Sequence, residues 1–146
     1  EKMENYLWLV YALLSAVAAA MVSVFGKIGL QGLDAHTATA VRAVIMAAFL
    51  VAVAVFQRRW EHLPELWADK RAMTFILLSG VAGALSWLFY FTALKYGKVS
   101  QVAPVDKLSV VLAATAAVVF LHETVSVMSA AGIGLITAGI ILVALG

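Results

Sequence analysis

Five apolar runs, each close to the length of a membrane span, dominate this sequence and decide what it can fold into. They cover residues 6–25, 35–56, 72–94, 102–121 and 125–145. A helix rising about 1.5 Å per residue needs about 20 apolar residues to cross the hydrocarbon core of a bilayer. A β-barrel demands alternating polarity along each strand, whereas these runs are apolar all round. A water-soluble fold fails on composition. The chain is 64% hydrophobic and 12% charged, and its mean hydropathy is +1.02. A soluble domain is about half apolar and about a quarter charged, so too few charges exist here to build a water-facing surface. The expected fold class is an all-α membrane protein with five transmembrane helices, forming a single domain over residues 1–146.

The punctuation between the runs agrees. Gly26, Gly29 and Gly32 read as breaks after the first span, and Asp34 is placed to cap the second. The segment QRRWEHLPELWADKR, residues 57–71, reads as the one truly polar loop. Its Trp60 and Trp67 are expected at the headgroup level, where amphipathic rings settle. Gly97 and Ser100 lead into the fourth span, with Pro104 in its first turn, where a helix tolerates proline. Only His122, Glu123 and Thr124 separate spans four and five, so these form an antiparallel hairpin. The first run lacks a cleavage motif followed by a polar mature domain, so no signal peptide is expected, and Met3 is the expected start.

No internal repeat is visible. Many membrane carriers are built from two inverted repeats related by a pseudo-two-fold axis in the membrane plane, and five helices are half of such a ten-helix design. Because the helix number is odd, the two ends lie on opposite sides of the bilayer. One face then carries Lys2, Arg58, Arg59, Lys70 and Arg71, and the other Lys27, Lys95 and Lys98. Arg42 and Lys107 lie just inside span starts on the second face. The basic loop at 57–71 favours an inside N-terminus. The tally is five against three, or five against five with the embedded bases. So small a bias lets molecules insert both ways, and an antiparallel homodimer would restore the missing inverted repeat. The alternative is one orientation, with a parallel dimer or a separate partner chain.

Charges buried in spans mark polar cavities by default, since each costs several kcal/mol in hydrocarbon unless paired or wetted. Arg42 lies about two turns into span two, and Asp106 and Lys107 about one turn into span four. One reading is a vestibule in which Arg42 and Lys107 attract an anionic or zwitterionic solute. The other is structural, with Asp106 neutralising Arg42 while Lys107 snorkels to the interface. Asp106 is the only carboxylate within a span. In span three, Gly80, Gly83, Trp87 and Tyr90 share a helical face with Phe91 adjoining. Trp87 is deeper than a belt tryptophan, which suits either a cavity wall or a filled helix interface. In span five, Ser126, Ala130, Gly134 and Ala138 recur every fourth residue, a stripe that lets two backbones approach closely. It is expected to pack helices or join two protomers.

Enzyme chemistry finds little support. His36, His62 and His122 are isolated, and no HExxH, P-loop or GxSxG occurs. The chain has no cysteine. No metal, cofactor or catalytic residue is expected. The net charge of +2 resides in short loops that meet lipid headgroups, so the bilayer rather than nucleic acid is the expected partner.

The segment ALKYGKVSQVAPVDKLSVVLAATAAVVFLHETVS, from Ala93 to Ser126, followed by GIGLITAGIILV from Gly132 to Val143, resembles the C-terminal part of an EamA repeat of the drug/metabolite transporter superfamily. The resemblance rests on Ala103-Pro104 opening span four, Glu123 after its apolar run, and Leu135, Ile136 and Gly139 in an LIxxG pattern. Ala12, Ser15, Ala16 and Gly26-Lys27 look like the repeat's first helix, so the similarity covers nearly the whole chain. Most such transporters carry two repeats in ten helices. This chain resembles the single-repeat kind, for which the resemblance implies dimerisation. The more distant small multidrug resistance proteins use a glutamate in their first helix, and span one here has no acidic residue between Tyr6 and Phe25. Trp87 resembles the aromatic platform of those relatives. The resulting expectation is a secondary transporter in a prokaryotic plasma (inner) membrane. It would export a small polar or amphipathic metabolite by alternating access between two protomers. Trp87 and Tyr90 would line the cavity, with Arg42, Asp106 and Lys107 forming the vestibule. The competing expectation is a non-transporting subunit that scaffolds a partner through its small-residue faces.

Overall fold

A computed structural model describes residues 4–146, with side chains from Tyr6 onward. Glu1, Lys2 and Met3 lie outside the described residues, and with them the assignment of the start to Met3 and the charge of Lys2 in the orientation tally. The described chain is helical, with no strand. Its helices are α1 (Glu4–Gly29), α2 (Ala35–Phe56), α3 (Leu63–Ala68), α4 (Lys70–Tyr96), α5 (Val99–Asp106), α6 (Leu108–Phe120) and α7 (Val127–Leu145), with a 3-10 turn at Arg59–His62. Among the described residues, five stretches are long and apolar enough to cross a membrane: Tyr6–Gly29, Ala35–Phe56, Lys70–Tyr96, Val99–Phe120 and Val127–Leu145.

The ends of the spans correct several sequence-based expectations. α1 does not stop at Phe25 but continues through Gly26 to Gly29. Of the three expected breakers only Gly32 turns the chain, at φ +75, a left-handed conformation that glycine adopts without a Cβ clash. α2 starts where Asp34 caps it. The Asp34 carboxylate accepts the backbone N–H and the hydroxyl of Thr37, both at 2.9 Å. The segment 57–71 is not a plain loop. Arg58 adopts a left-handed φ of 55, the 3-10 turn follows, and Pro64 sits in the first turn of α3.

The fourth span departs furthest from expectation. Its helix begins at Val99, three residues earlier than expected, which moves Pro104 from the first turn into the interior. Proline has no N–H to give and its ring crowds the carbonyl four residues back. The ladder slips to shorter bonds just beyond it. Lys107 donates its N–H to the carbonyl of Pro104 at 3.0 Å, and Val110 to that of Lys107 at 2.9 Å. The span is thus broken into α5 and α6 at Asp106–Lys107. Between α6 and α7, His122 at φ 56 reverses the chain, and the N–H of Glu123 reaches back to the carbonyl of Ala117. Ser126, the first of the small residues spaced by four, is the N-cap of α7, accepting the N–H of Ser129 at 3.1 Å.

The chain forms two compact units. One comprises α1 up to Val24 together with Tyr96–Gly146. Within it α7 packs on both α5 and α6. The covered positions of α7 are Gly132, Ile133, Thr137, Ile140 and Val143, whereas Ala130, Gly134 and Ala138 are exposed. The other unit is Phe25–Lys95. Its buried side chains are Leu30, Ala35, Thr39, Phe91 and Leu94, where the last turn of α1, the first turns of α2 and the last turns of α4 meet.

Candidate functional site

The Asp34 cap fixes where α2 begins and therefore how deep Arg42 sits, about 10 Å along the helix at 1.5 Å per residue. Exposed Asp34 is held below the ordinary carboxylate range by the Thr37 N–H first and the Thr37 hydroxyl second, so the cap is charged at neutral pH. Trp87 and Phe91 are four residues apart on α4 and so occupy one face. Both rings meet Arg42. Its Cζ stands 4.5 Å from the Trp87 ring centroid and 4.1 Å from that of Phe91. Contacts of this kind contribute about 0.5 to 2 kcal/mol each, most when desolvated. An arginine within a span costs about 3 kcal/mol on insertion scales. Two ring faces therefore offset much of the cost of holding this cation among apolar side chains.

The rings do not satisfy its hydrogen bonds. Nε and Nη2 of Arg42 are buried and lack a hydrogen-bond partner among the described residues. The cage is braced from behind. Phe91 is 2% exposed, and its ring lies so near the Gly26 backbone that a Cβ on residue 26 would come within 2.3 Å of Cε1. Tyr90 meets Phe91 edge-on, with centroids 5.5 Å apart and planes at 83°. Lys27 donates from Nζ to the carbonyl of Leu94, one of the last four carbonyls of α4, which lack partners within the helix. That bond ties the end of α1 to the end of α4.

Two cavities open within this unit beside the cage. One, of about 540 Å³, is lined by Lys27, Gln31, Asp34, Leu94 and Lys95 among others. The other, of about 410 Å³, runs along Asp34, Thr37, Val41, Arg42 and Ile45. A third, of about 740 Å³, lies at the opposite end of α2, against Val51, Trp60, Leu63, Leu66 and Asp69. Its walls are the short helices of the basic loop, and no side chain of the Arg42 cage touches it.

Of the residues singled out from the sequence, Arg42 and Trp87 are brought into contact, and Tyr90 joins them through Phe91. Asp106 and Lys107 belong to the other unit, where both are exposed at the break between α5 and α6. There Lys107 caps the C-terminal end of α5 and Asp106 precedes the N-terminal end of α6, each favourably signed for that helix dipole. Sequence reasoning missed the part of Gly26, whose glycine was read as a breaker, and the break itself. Among the described residues no group of three His, Asp or Glu stands together to hold a metal.

Five helices long and apolar enough to cross a membrane, one broken at Asp106–Lys107 and another holding a caged cation, are those of a polytopic membrane protein. The chain belongs to the EamA-like transporter family, which matches residues 6–145. It is 39% identical over 137 residues to a Sinorhizobium sp. protein described as an uncharacterized transporter in the cobO 3' region, covering 94% of this chain and 96% of that one. No solved structure matches it. The protein is therefore a multi-pass membrane transporter.

Proposed function

We propose that this chain is a secondary transporter that carries a small polar or amphipathic metabolite out of a prokaryotic cell. It works in the inner membrane as a homodimer, antiparallel in topology, by alternating access. The observation that carries this reading is the caged cation. Arg42 is embedded in a span, stacked on Trp87 and Phe91, with two buried donors unsatisfied. A purely structural arginine would have those donors satisfied, because each one left unpaired costs about 1–3 kcal/mol. Dimerisation is supported by the helix count, half that of an inverted-repeat carrier, and by the exposed Ala130, Gly134 and Ala138. The broken fourth span supports solute passage, since interrupted helices in carriers line polar cavities.

The test is uptake and counterflow in proteoliposomes against a panel of amino acids, organic acids, amines and sugars. At least one class should be moved, and Trp87→Ala should cut that flux about tenfold or more with expression and oligomeric state intact. A Trp87→Ala protein with wild-type flux removes the indole from the path. A preparation inert toward the whole panel favours the scaffold reading instead.

A further inference from the structure

The unsatisfied nitrogens of Arg42 are not an arbitrary pair. Nε–H and the Nη2–H beside it form one edge of the guanidinium, a flat fork with two parallel donors that matches the two oxygens of a carboxylate. Both lie buried and unpartnered, while the rings of Trp87 and Phe91 stand against the same group. The cage thus leaves one directed recognition element open. No backbone carbonyl of α2 or α4 stands within hydrogen-bond reach of either nitrogen. The hydroxyls of Thr39 and Thr92 are committed as donors to their own helices, to Ala35 at 2.7 Å and to Leu88 at 2.6 Å. Asp34, the one carboxylate lining the adjoining cavity of about 410 Å³, already accepts two hydrogen bonds from Thr37.

We infer that the Arg42 edge is the specificity element of the transporter, a bidentate site for the carboxylate of the transported solute, with Trp87 and Phe91 holding the guanidinium flat. The inference rests on the transport reading and narrows it to organic anions. Both nitrogens are closed off in the present arrangement, so the solute reaches them when the indole of Trp87 swings aside. Binding and indole motion are therefore the same event.

The four tryptophans of the chain allow a direct test. In the full-length protein, Trp8→Phe, Trp60→Phe and Trp67→Phe together leave Trp87 as the only indole. In phosphatidylcholine nanodiscs its emission is titrated with hexanoate, hexanamide and hexylammonium, three probes of one size and different charge. Hexanoate should shift the emission saturably at concentrations at least tenfold below the other two. Arg42→Gln should abolish the response. Arg42→Lys, which keeps the charge but not the fork, should weaken it about tenfold while showing that the fold survives. Equal response to all three probes, or an undiminished hexanoate response in Arg42→Gln, overturns the inference. An emission shift produced by added phosphatidylglycerol, with none from hexanoate, identifies a lipid phosphate as the occupant and overturns it too. Because no flux is needed, the two readings separate. Hexanoate that is bound but never carried in proteoliposomes leaves the anion site standing and removes transport. Flux of amines without hexanoate binding does the reverse.

Discussion

Replacing Gly26 by alanine should destabilise the protein through one side chain 65 residues away in sequence, Phe91. The added methyl would lie 2.3 Å from Cε1 and 3.2 Å from Cζ of that ring. Carbon atoms in contact prefer about 3.5–4.0 Å, so the ring must retreat by roughly 1.2 Å or more. It has little room, because Phe91 is 2% exposed and the Arg42 Cζ already stands 4.1 Å from its ring centroid. Overpacking of this kind costs about 1–3 kcal/mol. A chain of this length loses about 2–4 °C in Tm per kcal/mol, so a drop of roughly 3–10 °C is expected. Gly29, three residues along α1, is the internal control, because a Cβ there meets nothing within 4 Å. Gly29→Ala should be neutral or slightly stabilising, since alanine forms helix better than glycine by up to about 1 kcal/mol. The assay is thermal unfolding in detergent followed by tryptophan emission. Phe91→Leu added to Gly26→Ala should recover part of the loss, because the clash goes even though the ring contact with Arg42 goes as well. Equal melting of Gly26→Ala and Gly29→Ala would refute the close packing of α1 on Phe91.

Two further perturbations address other parts of the chain. Pro104→Ala restores an N–H facing the Ser100 carbonyl and should join α5 to α6; proline in a helix interior costs about 3 kcal/mol, so the variant should melt higher while its flux falls, and a variant with unchanged melting and flux would sever the break from function. Asp34→Ala should lower Tm at neutral pH by removing the α2 cap, whereas Asp34→Asn, an equally good cap, should not. The folded carboxyl is held below the ordinary carboxylate value of 3.8, so its contribution is present above that pH and fades as the pH falls through the lower folded value. Wild type and Asp34→Ala should therefore converge only in strong acid, and a gap that closes near pH 6 would contradict the capping geometry.

The existence of the spans was legible because lipid imposes a length and a polarity on each of them, and both are written directly in the chain. Their ends were not. Apolar character stops at the interface, while the helix continues as long as its hydrogen bonds do, so α4 runs from Lys70 to Tyr96 rather than over 72–94. Pro104 was misjudged for the same reason. Lys98 starts the helix from polar sequence, and the shift of three residues turned a tolerated proline into an interrupting one. For the site, the depth of Arg42 and Trp87 was readable from position alone. Their contact was not, because packing of α2 on α4 has no periodicity signature in either helix. Gly26 misled because its small size serves a neighbour's ring and not its own backbone.

The break at Lys107 also sets how this protein meets its lipid. Val99–Phe120 as a whole has 22 residues, about 33 Å of helix, enough for a hydrocarbon layer of about 30 Å. Length is therefore satisfied, and the break acts instead by admitting water to the two charged side chains it sets inside the span. The carbonyls and amides freed at the junction need those waters in any case. A path for water from the aqueous side down to Asp106 and Lys107 follows from a single ring closure at position 104.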